Sequence, residues 1–372
     1  MIANSAMPER AMADADATPA LRLRGLQKRF GAVEAVAGVD LALRHGEFLT
    51  LLGPSGSGKT TILKMIAGFE RPSTGSIELA GRDVSTLSPA ERGIGVVFQQ
   101  YALFPHMSVQ ENIAYPLKLR RWSSVDRGRR VEEMLALVEL DGYGERYPRE
   151  LSGGQQQRVA VARALAFQPA LLLMDEPLGA LDRALRIGMQ EEIRRIHRES
   201  GATILYVTHD QEEALTMSDR VAILRDGRLL QVGVPRDLYR CPADRFVATF
   251  FGECTLVPAT LLAPVDADHV RVTALGREAI VRRGGPSLGA DVSLAIRPGK
   301  LRLRPAPDDL TLAATVLDVL YLGDSVRIVG RQPAAGEVVI RADPEEAAGV
   351  TIGQELTLGF AADDSVAVDG SG

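Results

Sequence analysis

The chain is poor in the residues that mark several whole classes of protein. Its 372 residues hold two cysteines, Cys241 and Cys254, and no paired C-x-x-C, which excludes a disulfide framework and a cysteine zinc site and suits a reducing compartment. Excess positive charge is missing too. The net charge is -5, so a surface made mainly for nucleic acid is not expected. No apolar run reaches the length needed to cross a bilayer, so any membrane role must come through a partner. The first twenty residues, MIANSAMPERAMADADATPA, have neither a basic start nor a continuous apolar core; a disordered leader (1–20) is expected there rather than a secretory signal.

What is present is ordinary for a globular protein, 46% hydrophobic and 24% charged, and the length predicts roughly two domains. From Leu21 to about Val84, alternating runs broken by glycine (LRLRGL, AVAGVDLAL, SIELAGRDV) predict antiparallel strands around the apolar strand EFLTLL. VEEMLALVEL puts Val131, Met134, Leu135 and Val138 on one helical face, so a helical subdomain is expected over about 101–165. The apolar strands ALLLMD and TILYVTHD flank the charged helix ALRIGMQEEIRRIHRES, an alternation that predicts a parallel sheet and an α/β core. DQEEALTMSD and RVAILRDGRLLQVG close this first domain, 21–240, with the boundary near Tyr239 to Arg245. After it HVRVTAL, DVSLAIR, SVRIVGR, EVVIRAD and QELTLGF alternate between glycines and prolines, which predicts a small β-barrel or sandwich over 241–372.

Chemistry enters with GPSGSGKTT, Gly53, Pro54, Ser55, Gly56, Ser57, Gly58, Lys59, Thr60 and Thr61, between the strand EFLTLL and the helix-like ILKMIAG. The spacing G-x-x-x-x-G-K-T is that of a P-loop, in which backbone N–H groups converge on an anion at a helix N-terminus. Lys59 would meet the β- and γ-phosphates, and the Thr60 hydroxyl would ligate Mg²⁺. A nucleoside triphosphate is the expected ligand. LLLMDEP ends an apolar strand in two carboxylates: Asp175 is suited to engage the metal through water, and Glu176 to act as general base or to orient water. LSGGQ, with Ser152, Gly153, Gly154 and Gln155, is a second glycine-rich loop leading into a helix, QQRVAVARALA, and so a second candidate anion site. Two phosphate loops but one nucleotide pocket suggest that the second loop serves another copy of the chain. His209 ends the strand TILYVT. A lone histidine is ordinarily structural, but ligands of open α/β sheets gather at the carboxyl ends of strands, where MDE and THD both lie.

GPSGSGKT, VVFQQ, LSGGQ, LLLMDEP, LGALD and VTHD, in this order, resemble the nucleotide-binding subunits of ATP-binding-cassette (ABC) transporters, over Leu21 to about Val247. The resemblance implies a P-loop ATPase domain with a helical subdomain that binds ATP and Mg²⁺ and hydrolyses ATP as a homodimer. By motif match, Phe30 in KRFG would stack on adenine, although alone it reads as a core phenylalanine. Gln99 would reach Mg²⁺ and sense the transmembrane partner. Ser152 and Gly154 would contact the γ-phosphate held by the opposite subunit, Asp182 would join the two sites, and His209 would hydrogen-bond the γ-phosphate. The C-terminal strands, with YRCPADRFVATFFGE, LAIRPGK and YLGDS, resemble the OB-like (TOBE-type) accessory domain of importer ATPases. That family often has glutamate after RP, where this chain has Gly299. Whether the β-domain regulates or only stabilises a dimer stays open. QQYALFPHMSVQENI would form the surface that receives a permease's cytoplasmic helix, although Tyr101, Leu103 and Phe104 read equally as core.

The pattern looks most like the spermidine/putrescine importers, with ferric-iron and phosphonate importers close behind. It implies two transmembrane permease subunits, an extracytoplasmic solute-binding protein, and a peripheral place on the cytoplasmic face of the inner membrane. Rival readings lack their own marks. An ABC ATPase acting on DNA or ribosomes carries a long coiled-coil insertion or two tandem cassettes, and a GTPase carries N-K-x-D; the sequence has none of these. A purely regulatory ligand-binding protein would have no use for intact ATPase residues.

Overall fold

Alternating runs at the start of the chain pair as a one-sided sheet. The computed structural model describes residues 18–179, 182–285 and 288–370. Strands β1 (Leu21–Phe30) and β2 (Val33–Leu43) form a hairpin in register from Leu21↔Leu43 to Phe30↔Val33. The next strand, β3 (Phe48–Leu52), leaves that sheet and runs through the P-loop into α1 (Lys59–Ala67). β4 (Thr74–Leu79) and β5 (Arg82–Asp83) return to complete an antiparallel sheet of order β2-β1-β4-β5. The expectation that antiparallel strands surround the P-loop strand is therefore corrected. All five β3 residues are buried, so the strand belongs where both faces are covered, whereas β1 and β2 mix buried and exposed positions.

The helical subdomain follows β6 (Ile94–Val97) and comprises α2 (Val109–Leu119), α3 (Ser124–Leu137) and α4 (Gly153–Leu165). Val131, Met134, Leu135 and Val138 are buried in its core, as their spacing predicts. Tyr101 is also buried, and Leu103 packs against the same cluster. β7 (Leu171–Asp175), α5 (Arg183–Ser200), β8 (Ile204–Thr208), α6 (Gln211–Met217) and β9 (Arg220–Arg225) then complete a sheet in which β9, β3, β8, β7 and β6 lie side by side, all parallel. β3, β7 and β8 point their carboxyl ends at one edge, which is where the candidate residues collect.

The chain divides into two units between Leu229 and Leu230, inside β10 (Arg228–Gly233) and ahead of the expected 240/241. Ala248 packs with Ala295, Val366 and Val368, and Arg297 donates its guanidinium N–H groups to Tyr239 O at 2.9 Å and Ala248 O at 2.7 Å. These contacts tie α7 (Pro235–Arg240) and α8 (Arg245–Phe250) to the second unit. There β11 (Thr255–Pro264), β12 (His269–Ala274), β13 (Arg277–Arg283) and β14 (Asp291–Ile296) precede β15 (Leu310–Tyr321), β16 (Val326–Gln332), β17 (Gly336–Ala342), β18 (Glu355–Phe360) and β19 (Ser365–Asp369). β11-β12-β13-β19-β14 close a barrel, and β17-β16-β15-β18 form a separate sheet, so barrel and open sheet coexist. Residues 1–17 of the expected leader lie outside the described residues. Its last residue, Ala20, is buried and accepts a hydrogen bond from Ala80 N.

Candidate active site

The P-loop owes its shape to two backbone crossings that admit no side chain. A Cβ on Gly53 would lie 2.3 Å from Leu224 O, and one on Gly58, at φ 99°, would lie 2.5 Å from Ala35 O. Glycine is thus required at both positions by the neighbouring strands as well as by any ligand. Lys59 is buried, and its Nζ donates to Gly53 O at 2.8 Å and Pro54 O at 3.0 Å, folding the ammonium across its own loop. Burial lowers the Lys59 pKa, while Glu176 and Asp175 pull it back up. One level along, Thr60 Oγ1 donates to Asp175 Oδ1 at 3.4 Å. Asp175 is raised by burial and by Glu176 beside it, against the opposing pull of Thr60, Lys64 and Lys59.

Glu176 leaves β7 at φ 45°, a left-handed turn uncommon for glutamate, pinned by its N–H on Val207 O at 2.9 Å. The turn aims its carboxylate along the sheet edge, where Oε1 lies 3.2 Å from His209 Nδ1 at the end of β8. Gln99 belongs to the same cluster: a Cβ on Gly179, just past Glu176, would come 3.3 Å from its Nε2. The structure thus brings together Lys59, Thr60, Asp175, Glu176, His209 and Gln99. Ser57 Oγ is buried beside them with no hydrogen-bond partner among the described residues. An orphaned hydroxyl, a buried ammonium and a hydroxyl–carboxylate pair of hard oxygens fit a nucleotide polyphosphate with its Mg²⁺.

Other candidates stand apart. Ser152 caps α4, accepting from Gln155 N at 3.3 Å, while Ser152 N donates to Gln155 Oε1 at 2.9 Å. Gln155 thus has its side chain turned back on the cap. Ser152, Gly153 and Gly154 make no hydrogen bond with the P-loop, Asp175, Glu176 or His209 among the described residues. Asp182 caps α5, accepting from Leu185 N at 2.9 Å; Ala180 and Leu181 before it lie outside the described residues. Phe30 is 48% exposed at the end of β1, with Lys28 Nζ 4.8 Å from its ring centre, so it is not a core residue.

Sequence reasoning missed Arg163. From α4 it donates to Tyr101 O at 3.0 Å and Ala102 O at 2.8 Å, just beyond Gln99. Those two residues are consecutive left-handed positions, at φ 58° and 47°. No local signal marks such an arginine, because its partners are carbonyls sixty-odd residues away.

A family model described as ABC transporter matches residues 36–179, and one described as TOBE domain matches residues 294–368. The spermidine/putrescine import ATP-binding protein PotA of Rubrobacter xylanophilus is 47% identical over 345 residues, covering 92% of this chain and 91% of that protein. PotA 1 of Pseudomonas aeruginosa is 45% identical over 358 residues, covering 94% and 96%. Among solved structures, the dimeric bacterial ABC transporter cassette MJ0796 matches with a TM-score of 0.52 and 34% identity, over 58% of this chain and 99% of that one. cbiO1 from Clostridium perfringens matches with a TM-score of 0.56 and 25% identity, over 60% and 91%.

Proposed function

The chain belongs to the ABC-transporter ATPases, and on that premise we propose that it is the motor subunit of a polyamine importer, closing on ATP as one half of a homodimer. The observation that carries the catalytic reading is the 3.2 Å approach of His209 Nδ1 to Glu176 Oε1 at the sheet edge beside the P-loop. When bound, Mg²⁺ and ATP supply the metal's Lewis acidity and the scissile phosphoanhydride. Gly53 to Thr61 hold the phosphates through backbone N–H groups and Lys59, and the Thr60 hydroxyl, Asp175 and Gln99 hold the metal. Glu176 takes a proton from water on its carboxylate, with His209 fixing that carboxylate and meeting the γ-phosphate. Phe30 lies against the adenine. Ser152, Gly153, Gly154 and Gln155 of a second copy close the site, and Asp182 joins the two halves. Hydrolysis removes the phosphate shared by both copies, so the clamp opens.

Glu176→Gln keeps the shape and removes the base. Turnover should fall about 10²–10³-fold, while an ATP-loaded dimer accumulates on size exclusion. Turnover at the parent rate would remove Glu176 from this role.

Similarity to the polyamine import proteins along nearly the whole chain supports the cargo. By this reading the subunit works peripherally on the cytoplasmic face of the membrane, with two permeases and an extracytoplasmic binding protein. Among the described residues, no helix is long and apolar enough to cross a membrane. The complex reconstituted with its permeases and binding protein should raise its ATPase rate with spermidine or putrescine. Stimulation by ferric iron or a phosphonate alone would reassign the cargo and leave the motor intact.

A further inference from the structure

Within the second unit, a cavity of about 350 Å³ opens beside α7 and β14. Four cationic side chains line it, Arg240, Arg282, Arg297 and Lys300, against only two carboxylates, Asp363 and Asp364. Asp364 is already engaged, by Lys300 Nζ at 2.8 Å and Arg302 Nη2 at 3.8 Å. Arg297 is held rigidly by neutral groups, the carbonyls of Tyr239 and Ala248, with its guanidinium 4.1 Å from the Tyr239 ring centre. None of this neutralises it. The side chains of Arg240 and Arg282 make no hydrogen bond or ion pair among the described residues, which leaves three arginines in one concavity without a carboxylate partner. With most of its N–H groups taken by the carbonyls of Tyr239, Ala248 and Glu253, Arg297 contributes fixed positive charge, while Arg240 and Arg282 keep the N–H groups that suit the several oxygens of a phosphate, and a concave wall concentrates their field.

The size of the cavity narrows the ligand further. It falls in the range of small-molecule sites, and Tyr239, Pro242 and Ala295 give it an uncharged wall beside the arginines. At the rim Gly299 adds no side chain, and a Cβ there would meet nothing within 4 Å. A carboxylate at this position would offset part of the excess positive charge; this chain omits one. We infer that the cavity binds a small organic phosphate, separately from the P-loop.

Titration calorimetry of the full chain with fructose 1,6-bisphosphate should show saturable binding, with none for fructose or putrescine. Arg282→Gln and Gly299→Glu should each weaken it about tenfold, and Lys59→Ala should leave it unchanged. Gly299→Glu has open space for its side chain, so its melting temperature should match the parent's and its result stands even if Arg282→Gln folds poorly. Absence of binding, binding indifferent to Gly299→Glu, or loss of binding in Lys59→Ala would overturn the assignment. So would inorganic phosphate binding as tightly as the bisphosphate.

Discussion

Asp175 shows what the site costs the unliganded protein. Its carboxyl is raised by burial and by the charge of Glu176. A carboxyl raised on folding stabilises the protein fully below its unfolded value and loses that contribution as pH rises through the folded one. Asp175→Asn should therefore raise the melting midpoint of the nucleotide-free protein at about pH 7, and the gap to the parent should shrink at about pH 4. The same change should abolish Mg²⁺-dependent hydrolysis. A variant no more stable than the parent at neutral pH would mean that Lys59 and Lys64 already compensate the charge. Phe30 is the opposite case, a large apolar ring left half in water. Phe30→Ala should weaken ATP binding about tenfold, the value of one base-stacking contact, and leave thermal stability unchanged. A fall in melting temperature without a change in ATP affinity would make it a packing residue. The motif residues were legible because each chemistry needs a fixed residue type at a fixed spacing. The Glu176 turn and its approach to His209 were not, since they depend on β7 and β8 being neighbours.

Among the elements, α4 links the LSGGQ loop to the segment that follows Gln99. Its N-terminus carries Ser152 and Gly154, and nearly three turns further on Arg163 holds Tyr101 O and Ala102 O next to Gln99. Two consecutive left-handed residues cost about 1–3 kcal/mol each, which the arginine offsets with two charged hydrogen bonds. Arg163→Ala should destabilise the protein by about 2 kcal/mol in urea unfolding and lower permease-stimulated turnover more than ATP affinity. Arg163→Lys should recover part of the stability, because one ammonium can reach one carbonyl but does not fork to both. Equal loss of affinity and turnover would reduce Arg163 to a packing role. In the second unit β12, β14, β16, β17 and β18 were readable from alternation. β11 is interrupted by Pro258 and Pro264, and β13 carries Arg277, Glu278, Arg282 and Arg283 among seven residues, which blurs the apolar alternation in both; β15 does alternate buried and exposed positions over Leu310 to Val316, but the small Ala313 and Ala314 among them kept the pattern from standing out.

At the scale of the molecule, Ser152 and Gly154 make no hydrogen bond with the P-loop among the described residues, and the proposed site takes them from a second copy. Mixing Gly154→Asp chains with Lys59→Ala chains should then restore hydrolysis that neither has alone, up to about a quarter of the parent rate, since half of the dimers are mixed and each holds one intact site. Two inactive variants that stay inactive when mixed would place both loops in one chain's site.

Residue chemistry and local periodicity alone determined the P-loop, the paired carboxylates, the parallel α/β core and the β-rich C-terminal unit, because these depend on neighbours a few positions apart. Only the tertiary structure decided that β3 leaves the antiparallel sheet, that α7 and α8 join the second unit, that Glu176 meets His209, and that three arginines share one cavity. Each of these rests on contacts between segments tens of residues apart, and so on which faces are buried together, which no local pattern records.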